Sequence, residues 1–211
     1  MTDLCRHALV WLTETPQPIL NQDTLEIRRW HENGNPFVAC RQREQQDLLK
    51  LGFCLPAADS PETKPRRLSV QSPAEYILRV GYPPLLAEAA KSALEPTLGD
   101  RLSRLSLAGS AEGLSLRVFG SWMWQTLTGR SYVNRCSDLD LLAEVRTEAE
   151  ADVTTAFLQR EASIGTFNLD GELSVPGLGE VHWKEYLSKA PMLLLKSFSN
   201  VRLIQREELW K

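Results

Sequence analysis

Short apolar runs separated by polar turns dominate the first third of the sequence. Residues 8–12 and 36–40 are each apolar enough to predict a strand, and residues 48–55 predict a third. The stretch 56–73 carries four prolines among polar residues, which predicts a loop or linker. This pattern is typical of a small strand-rich domain, and we place that domain at residues 1–80.

Helical spacing first appears in the middle of the chain. Apolar residues recur every three or four positions from Pro83-Pro84 onward, which predicts a helix that ends at Pro96. A connection rich in Gly and Ser then leads to a strand at 114–118, where apolar and polar residues alternate. Residues 122–127 predict the next helix, closed by Gly129.

Strands and helices alternate in the last third of the chain. Residues 138–145 predict a strand, and a capping-box pattern at Thr147 predicts a helix over 148–161. Residues 164–175 and 180–184 predict two more strands, joined by a turn that contains Pro and Gly. The chain therefore changes from short strands to a mixture of strands and helices.

The length of the chain is consistent with two domains of unequal size. The 211 residues are enough for one large domain or two small ones, and we place the second domain at residues 81–211. With 43% hydrophobic and 24% charged residues, the chain lies in the ordinary range of globular proteins, which excludes disorder and coiled coil. We expect an α+β fold in which the strand-rich domain precedes a mixed sheet with helices.

Charge, cysteine spacing and hydropathy exclude several function classes. The net charge is −3, so the basic surplus of a nucleic-acid-binding protein is absent. The four cysteines form no C-x-x-C pair and the three histidines lie far apart, which argues against a zinc site. No apolar run approaches the ~18 residues of a membrane span. We expect a cytoplasmic protein that binds neither nucleic acid nor membrane.

Two aspartates stand at the start of the strand predicted at 138–145. Asp138 and Asp140 alternate with leucines, so both carboxylates project from one face. Neighbouring carboxylates repel each other, and a divalent cation removes the conflict because Mg²⁺ is commonly held by one or two carboxylates plus substrate phosphates. The D-x-D pattern alone does not exclude the alternative, the polar side of an edge strand.

Gly120-Ser121 adds a candidate phosphate site. Glycine at a strand end lets a phosphate approach the backbone, and the first turn of a helix offers unpaired N–H groups. The alternative for Ser121 is a plain N-cap. A third carboxylate is expected from a neighbouring strand, Asp170 before Glu172, unless Asp170-Gly171 forms a hairpin turn.

These motifs resemble the nucleotidyltransferase superfamily over residues 118–173, whose pattern is a strand, G-[GS], [DE]-h-[DE] and a later carboxylate. Sixteen residues separate Ser121 from Asp138, more than in the shortest forms of the pattern, and the extra segment 128–135 is a candidate specificity loop. The stretch FGSWMWQTLTGRSYVNRCSDLDLL is similar, more narrowly, to the phosphoribosyl-dephospho-CoA transferase family of malonate decarboxylase, the MdcG family.

Further segments carry the same narrower resemblance. Arg6-His7 with Val10-Trp11-Leu12 resembles the start of that family, and the DGE strand at 170–172 is followed by a V-x-W-[KR]-E strand at 181–185. Ala8 stands where the family has Asp. The resemblance thus covers most of the chain.

The resemblance implies a nucleotidyltransferase of the holo-[acyl-carrier-protein] synthase type. Its donor would be 2′-(5″-triphosphoribosyl)-3′-dephospho-CoA, and its acceptor a serine of the acyl-carrier subunit of malonate decarboxylase, with pyrophosphate released. The catalytic and Mg²⁺-binding carboxylates would be Asp138, Asp140 and Asp170, with Glu172 as the alternative third. The phosphate-binding residues would be Gly120, Ser121, Arg130, Arg135 and Lys184.

Two other functions stay open at this point. The same fold could use a nucleoside triphosphate on a different acceptor, or the chain could dock a carrier protein without chemistry. Lys196 is a further candidate cation near the phosphates, and we expect His182 to be a hydrogen-bonded structural histidine.

Overall fold

The protein has the predicted α+β architecture, and its described residues form two six-stranded sheets. A computed structural model describes residues 4–20, 24–42, 47–57, 65–134 and 136–211. These residues form two compact units, one of Met1–Pro83 with Ser197–Asn200 and one of Pro84–Lys196 with Val201–Lys211.

The sheet of the first unit is antiparallel throughout, in the order β2-β5-β4-β3-β1-β6. Helix α1 packs its buried Ile27 and Trp30 into the core, where the Trp30 and Phe53 rings lie 4.7 Å apart between centroids. Its elements are β1 (Leu9–Leu12), β2 (Gln17–Pro18), α1 (Thr24–Glu32), β3 (Phe37–Ala39), β4 (Leu48–Leu55), β5 (Arg66–Pro73) and β6 (Ile77–Gly81).

The prediction of a loop or linker over 56–73 is wrong for its second part. Strand β5 pairs with β4 along its whole length, from Leu55↔Arg66 to Leu48↔Pro73. Its Val70 is fully buried, and the nearby prolines flank or end the strand instead of interrupting its ladder. Residues 58–64 of the predicted loop lie outside the described residues.

The sheet of the second unit is mixed, in the order β12-β11-β10-β9-β8-β7, and only the β8–β9 pair is parallel. A short 3₁₀ segment, Arg206–Trp210, follows the last strand. The elements are α2 (Leu86–Lys91), α3 (Pro96–Ala111), β7 (Leu116–Val118), α4 (Gly120–Thr128), β8 (Leu139–Glu144), α5 (Glu148–Ile164), β9 (Leu169–Val175), β10 (Gly179–His182), α6 (Trp183–Leu187), β11 (Met192–Lys196) and β12 (Val201–Gln205).

Helix α3 corrects the prediction that a helix ends at Pro96 and a connection follows. Pro96 is instead the first residue of a 16-residue helix, because a proline at N1 gives up only an N–H that lacks a helical partner. The small residues that predicted a loop instead allow α3 to pack closely against Ala90 and Leu116. A Cβ on Gly99 would lie 2.9 Å from the Ala90 carbonyl, and one on Gly109 would lie 3.2 Å from Leu116.

Other local predictions are confirmed. Gly129 ends α4 in the left-handed region with φ +67°, and the Thr147 side chain accepts the Glu150 N–H at the start of α5. Helix α5 connects the two parallel strands β8 and β9, as a parallel pair requires. The strand predicted over 180–184 ends at His182, where α6 begins. Among the described residues, no helix has the length and apolarity needed to cross a bilayer.

Candidate active site

Three strand ends bring the predicted carboxylates to one end of the second sheet. The N–H of Phe119, just after β7, donates to the carbonyl of Asp140 at 3.0 Å. On the other side of β8, Asp140 is the register partner of Asp170 in the parallel β9. Because side chains alternate along a strand, Asp140 and Asp170 share the face opposite the buried Leu139 and Leu169.

Gly120 lies directly against the Asp140 carboxylate. It begins α4 with φ +63°, a conformation that favours glycine, and a Cβ there would lie 2.1 Å from Oδ2 of Asp140. The N-cap residue of α4, Phe119, makes no side-chain cap. Ser121 is half-buried in the first turn. The backbone at the start of α4 and an aspartate carboxylate therefore face the same small region.

Asp138 is fixed by a residue that the sequence motifs do not include. The amide of Asn168 donates to Oδ1 of Asp138 at 2.5 Å, and the Asn168 carbonyl accepts the N–H of Leu139 at 2.9 Å. Asp138 itself is exposed and precedes β8 by one residue. Asn168 thus connects the start of β9 to the start of β8 by hydrogen bonds, and it orients Oδ1 of Asp138.

Asp170 is hydrogen-bonded to His182. The strand continues through Gly171, which has φ +147° and where a Cβ would lie 2.0 Å from the Leu141 carbonyl, so the hairpin alternative at Asp170-Gly171 is excluded. Nε2 of His182 lies 2.6 Å from Oδ1 of Asp170. The Lys184 N–H donates to Nδ1 of His182, so Nε2 carries the hydrogen and donates to Asp170. The histidine is hydrogen-bonded, as expected, but its partner is a candidate catalytic carboxylate.

Glu172 and Lys196 form an ion pair inside the sheet. Nζ of Lys196 donates to Oε1 of Glu172 at 2.6 Å, and the Glu172 side chain is 7% exposed against 28% for Lys196. A buried carboxylate with a lysine partner is already compensated. The geometry thus favours Asp170 over Glu172 as the third carboxylate, and it explains Lys196 without a phosphate.

The other predicted cations are not brought to the carboxylates by any contact within the described ranges. Arg130 is exposed after α4, and its backbone N–H donates to the Thr128 hydroxyl. Nζ of Lys184 lies 5.3 Å from the centroid of the Trp183 ring. Arg135 lies outside the described residues.

Both units match models of one protein family. Residues 5–83 match the phosphoribosyl-dephospho-CoA transferase MdcG N-terminal domain, and residues 85–207 match the C-terminal domain of the same name. The chain belongs to the MdcG family. The family resemblance predicted from the motifs is therefore confirmed.

Relatives in this MdcG family align with nearly the whole chain. A protein of Xanthomonas axonopodis pv. citri named phosphoribosyl-dephospho-CoA transferase is 34% identical over 209 residues, which are 97% of this chain and 96% of that protein. One of Bradyrhizobium diazoefficiens with the same name is 36% identical over 186 residues, 86% of this chain and 79% of that protein. No solved structure matches the chain.

The sequence motifs missed two contacts of this candidate site, the Asn168 amide on Asp138 and the His182 ring on Asp170. Asn168 had no recognisable signal, because a single amide before a strand is ordinary loop composition. His182 did have one, because it stands on the strand after Asp170. The three-residue turn 176–178 pairs His182 with Glu172 and so places it diagonally across from Asp170. Strand register, which sequence reasoning did not fix, decides both contacts.

Proposed function

We propose that the chain transfers the 2′-(5″-phosphoribosyl)-3′-dephospho-CoA group from its triphosphate donor to a serine of the malonate decarboxylase acyl-carrier subunit, releasing pyrophosphate. The observation that carries this proposal is the contact between Gly120 and Asp140, with Asp170 in register beside them. It joins a backbone phosphate cradle to paired carboxylates, an arrangement suited to nucleotidyl transfer. Relatives that align with almost the full chain carry the name phosphoribosyl-dephospho-CoA transferase.

The start of α4 is suited to the donor's phosphates. Its first N–H groups lack helical partners and stand at the positive end of the helix dipole, which attracts anions. Gly120 exposes backbone there with no Cβ in the way, and the Ser121 hydroxyl can add a hydrogen bond. We propose that these groups hold the β- and γ-phosphates, which leave together as pyrophosphate.

The carboxylates fit a Mg²⁺ ion shared with the substrate. Among the described residues, no group of three or more His, Cys, Asp or Glu side chains is arranged to hold a metal ion. Mg²⁺ does not require one, since it is commonly held by one or two carboxylates and completed by phosphate oxygens and water. We propose Asp138 and Asp140 as its ligands, and we assign Asp170, one oxygen of which His182 already engages, to proton transfer. When bound, Mg²⁺ offsets charge on the phosphates and activates the acceptor hydroxyl.

The remaining chemistry belongs to the chain's own residues. The serine oxygen of the acceptor forms a bond to the α-phosphorus while the bond from that phosphorus to pyrophosphate breaks. The serine proton passes to an oxygen of Asp170, whose other oxygen is held by the Nε2–H of His182. Asn168 holds Asp138 in place. Catalysis by this site is mainly positioning and charge stabilisation.

Intact-protein mass spectrometry of the apo acyl-carrier subunit tests the proposal. With the triphosphate donor, Mg²⁺ and this protein, we expect the carrier to gain the mass of one phosphoribosyl-dephospho-CoA group. Asp138→Asn combined with Asp140→Asn should abolish the gain, and Asp152→Asn, an exposed aspartate of α5, should leave it unchanged.

Other results would contradict the proposal. Pyrophosphate released from ATP or another nucleoside triphosphate, with no transfer from the CoA-derived donor, would favour the general nucleotidyltransferase. Binding of the carrier subunit without any pyrophosphate would favour the docking module.

A further inference from the structure

A crevice of about 510 Å³ opens on the helical side of the second unit's sheet, the face opposite the Asp140 and Asp170 carboxylates. It lies between α3, the end of α5 and the start of β9. Phe167 and Leu169 line it, and the residue between them is Asn168, whose amide holds Asp138. The crevice and the candidate active site therefore share one short segment of backbone, residues 167–170.

The charge of the crevice comes from two arginines of α3. Arg101 and Arg104 stand one turn apart and are exposed, and within the described part of the chain neither guanidinium makes an ion pair or a hydrogen bond. The one acidic residue of the lining, Glu161, has its carboxylate 3.6 Å from the guanidinium of Arg160. Unengaged guanidinium groups bind phosphates through paired N–H donors.

The rest of the lining is largely apolar. Leu105 and Leu169 are buried, whereas Ile164 is 64% exposed and leaves aliphatic surface open in the lining. The Phe167 ring is held edge-on by Trp122, with ring centroids 6.3 Å apart. A fixed aromatic ring beside aliphatic side chains is suited to a flat heteroaromatic base.

We propose that this crevice binds the dephospho-CoA part of the donor, with its diphosphate on Arg101 and Arg104 and its adenine against Phe167 and Ile164. The inference rests on the proposed function for the identity of the donor. The crevice volume is in the range of small-molecule sites. Asn168, between the lining residues Phe167 and Leu169, contacts Asp138, so a bound donor would pass this strand end to bring its phosphoribosyl group to the carboxylates. The motifs that indicated phosphate binding include neither arginine.

Binding of dephospho-CoA itself, which lacks the triphosphate, tests the crevice apart from the chemistry. The assay is isothermal titration calorimetry of dephospho-CoA with the intact chain. We expect the Kd of the Arg101→Ala/Arg104→Ala variant to be at least ~10-fold higher than that of the parent. A control with the same change of charge, Arg202→Ala/Lys211→Ala, lies outside the crevice lining and should stay within about twofold of the parent Kd. ADP should compete and pantetheine should not, because the arginines contact the diphosphate.

The outcomes separate this inference from the proposed function. Unchanged dephospho-CoA binding in the double arginine variant, or equal loss in the control, would overturn the crevice assignment even if carrier transfer proceeds. Absence of dephospho-CoA binding by the parent chain would overturn it as well. Asp138→Asn should keep dephospho-CoA affinity and lose transfer. If the parent chain binds dephospho-CoA through the arginines yet transfers nothing, the crevice stands and the proposed function fails.

Discussion

Replacing Gly120 by alanine tests the contact on which the proposed site depends. The new Cβ would lie 2.1 Å from Oδ2 of Asp140, whereas ordinary van der Waals contact begins near 3.4 Å. The Asp140 backbone cannot retreat, because its carbonyl accepts the Phe119 N–H and its strand is paired on both sides. The Asp140 carboxylate must therefore rotate away from Gly120 by about 1 Å. A displacement of that size can lower the rate of the transfer reaction about 100-fold.

Two effects contribute to the stability change of Gly120→Ala. A non-glycine residue at φ +63° costs about 1–2 kcal/mol. Overpacking against Asp140 adds about 1–3 kcal/mol. Gly129→Ala separates the two, since Gly129 has φ +67° with nothing within 4 Å of its Cβ position. We expect Gly120→Ala to melt below Gly129→Ala by about 2–4 °C for each kcal/mol of overpacking.

The assays are thermal melting and the carrier mass shift, each measured for both glycine variants. Adding Asp140→Ala should remove the overpacking part of the Gly120→Ala cost and leave the backbone part, a coupling that a double-mutant cycle measures. Activity should stay lost in that pair. Equal melting of the two glycine variants, together with full transfer by Gly120→Ala, would refute the contact between Gly120 and the Asp140 carboxylate.

Three further predictions follow from single contacts. Asn168→Ala should lower transfer about 10–100-fold and raise the Mg²⁺ concentration needed for half-maximal rate, because Asp138 loses its orienting amide. Lys196→Met should lower the free energy of unfolding by about 3 kcal/mol in urea denaturation, because the buried Glu172 carboxylate loses its cationic partner. Ellman's reagent should modify two cysteines rapidly at pH 8 and two slowly, because burial raises the pKa of the slow pair. The rapid pair is Cys5 and Cys136, and the slow pair is Cys40 and Cys54.

Each of these predictions has its own control. Asn33→Ala, at an exposed asparagine of the first unit, is the control for the Mg²⁺ titration, and an equal effect there would argue against a specific role of Asn168. Lys196→Met with Glu172→Met should recover most of the lost stability, and no recovery would contradict the ion pair. Four equal thiol rates would contradict the burial of the slow pair.

Much of the local structure could be predicted because its signals are local. The Thr147 cap and the left-handed Gly129 depend on residues within one turn, so the sequence alone sets them. Where prolines and small residues are frequent, the sequence predicted connections, although packing forms a strand and a helix there. Strand β5 and helix α3 both read as connections, yet pairing with β4 and close helix contacts at Gly99 stabilise them.

The pattern of Gly120-Ser121, Asp138 and Asp140 along the chain determined the main candidate site residues, since these motifs need only a strand end and its alternation. The longer stretch 119–142 indicated the family. The partners of those residues were decided by the tertiary structure. Asn168, His182 and Lys196 reach their carboxylates through the register of β8, β9, β10 and β11. Register depends on pairing between segments far apart in sequence, and no local pattern encodes it.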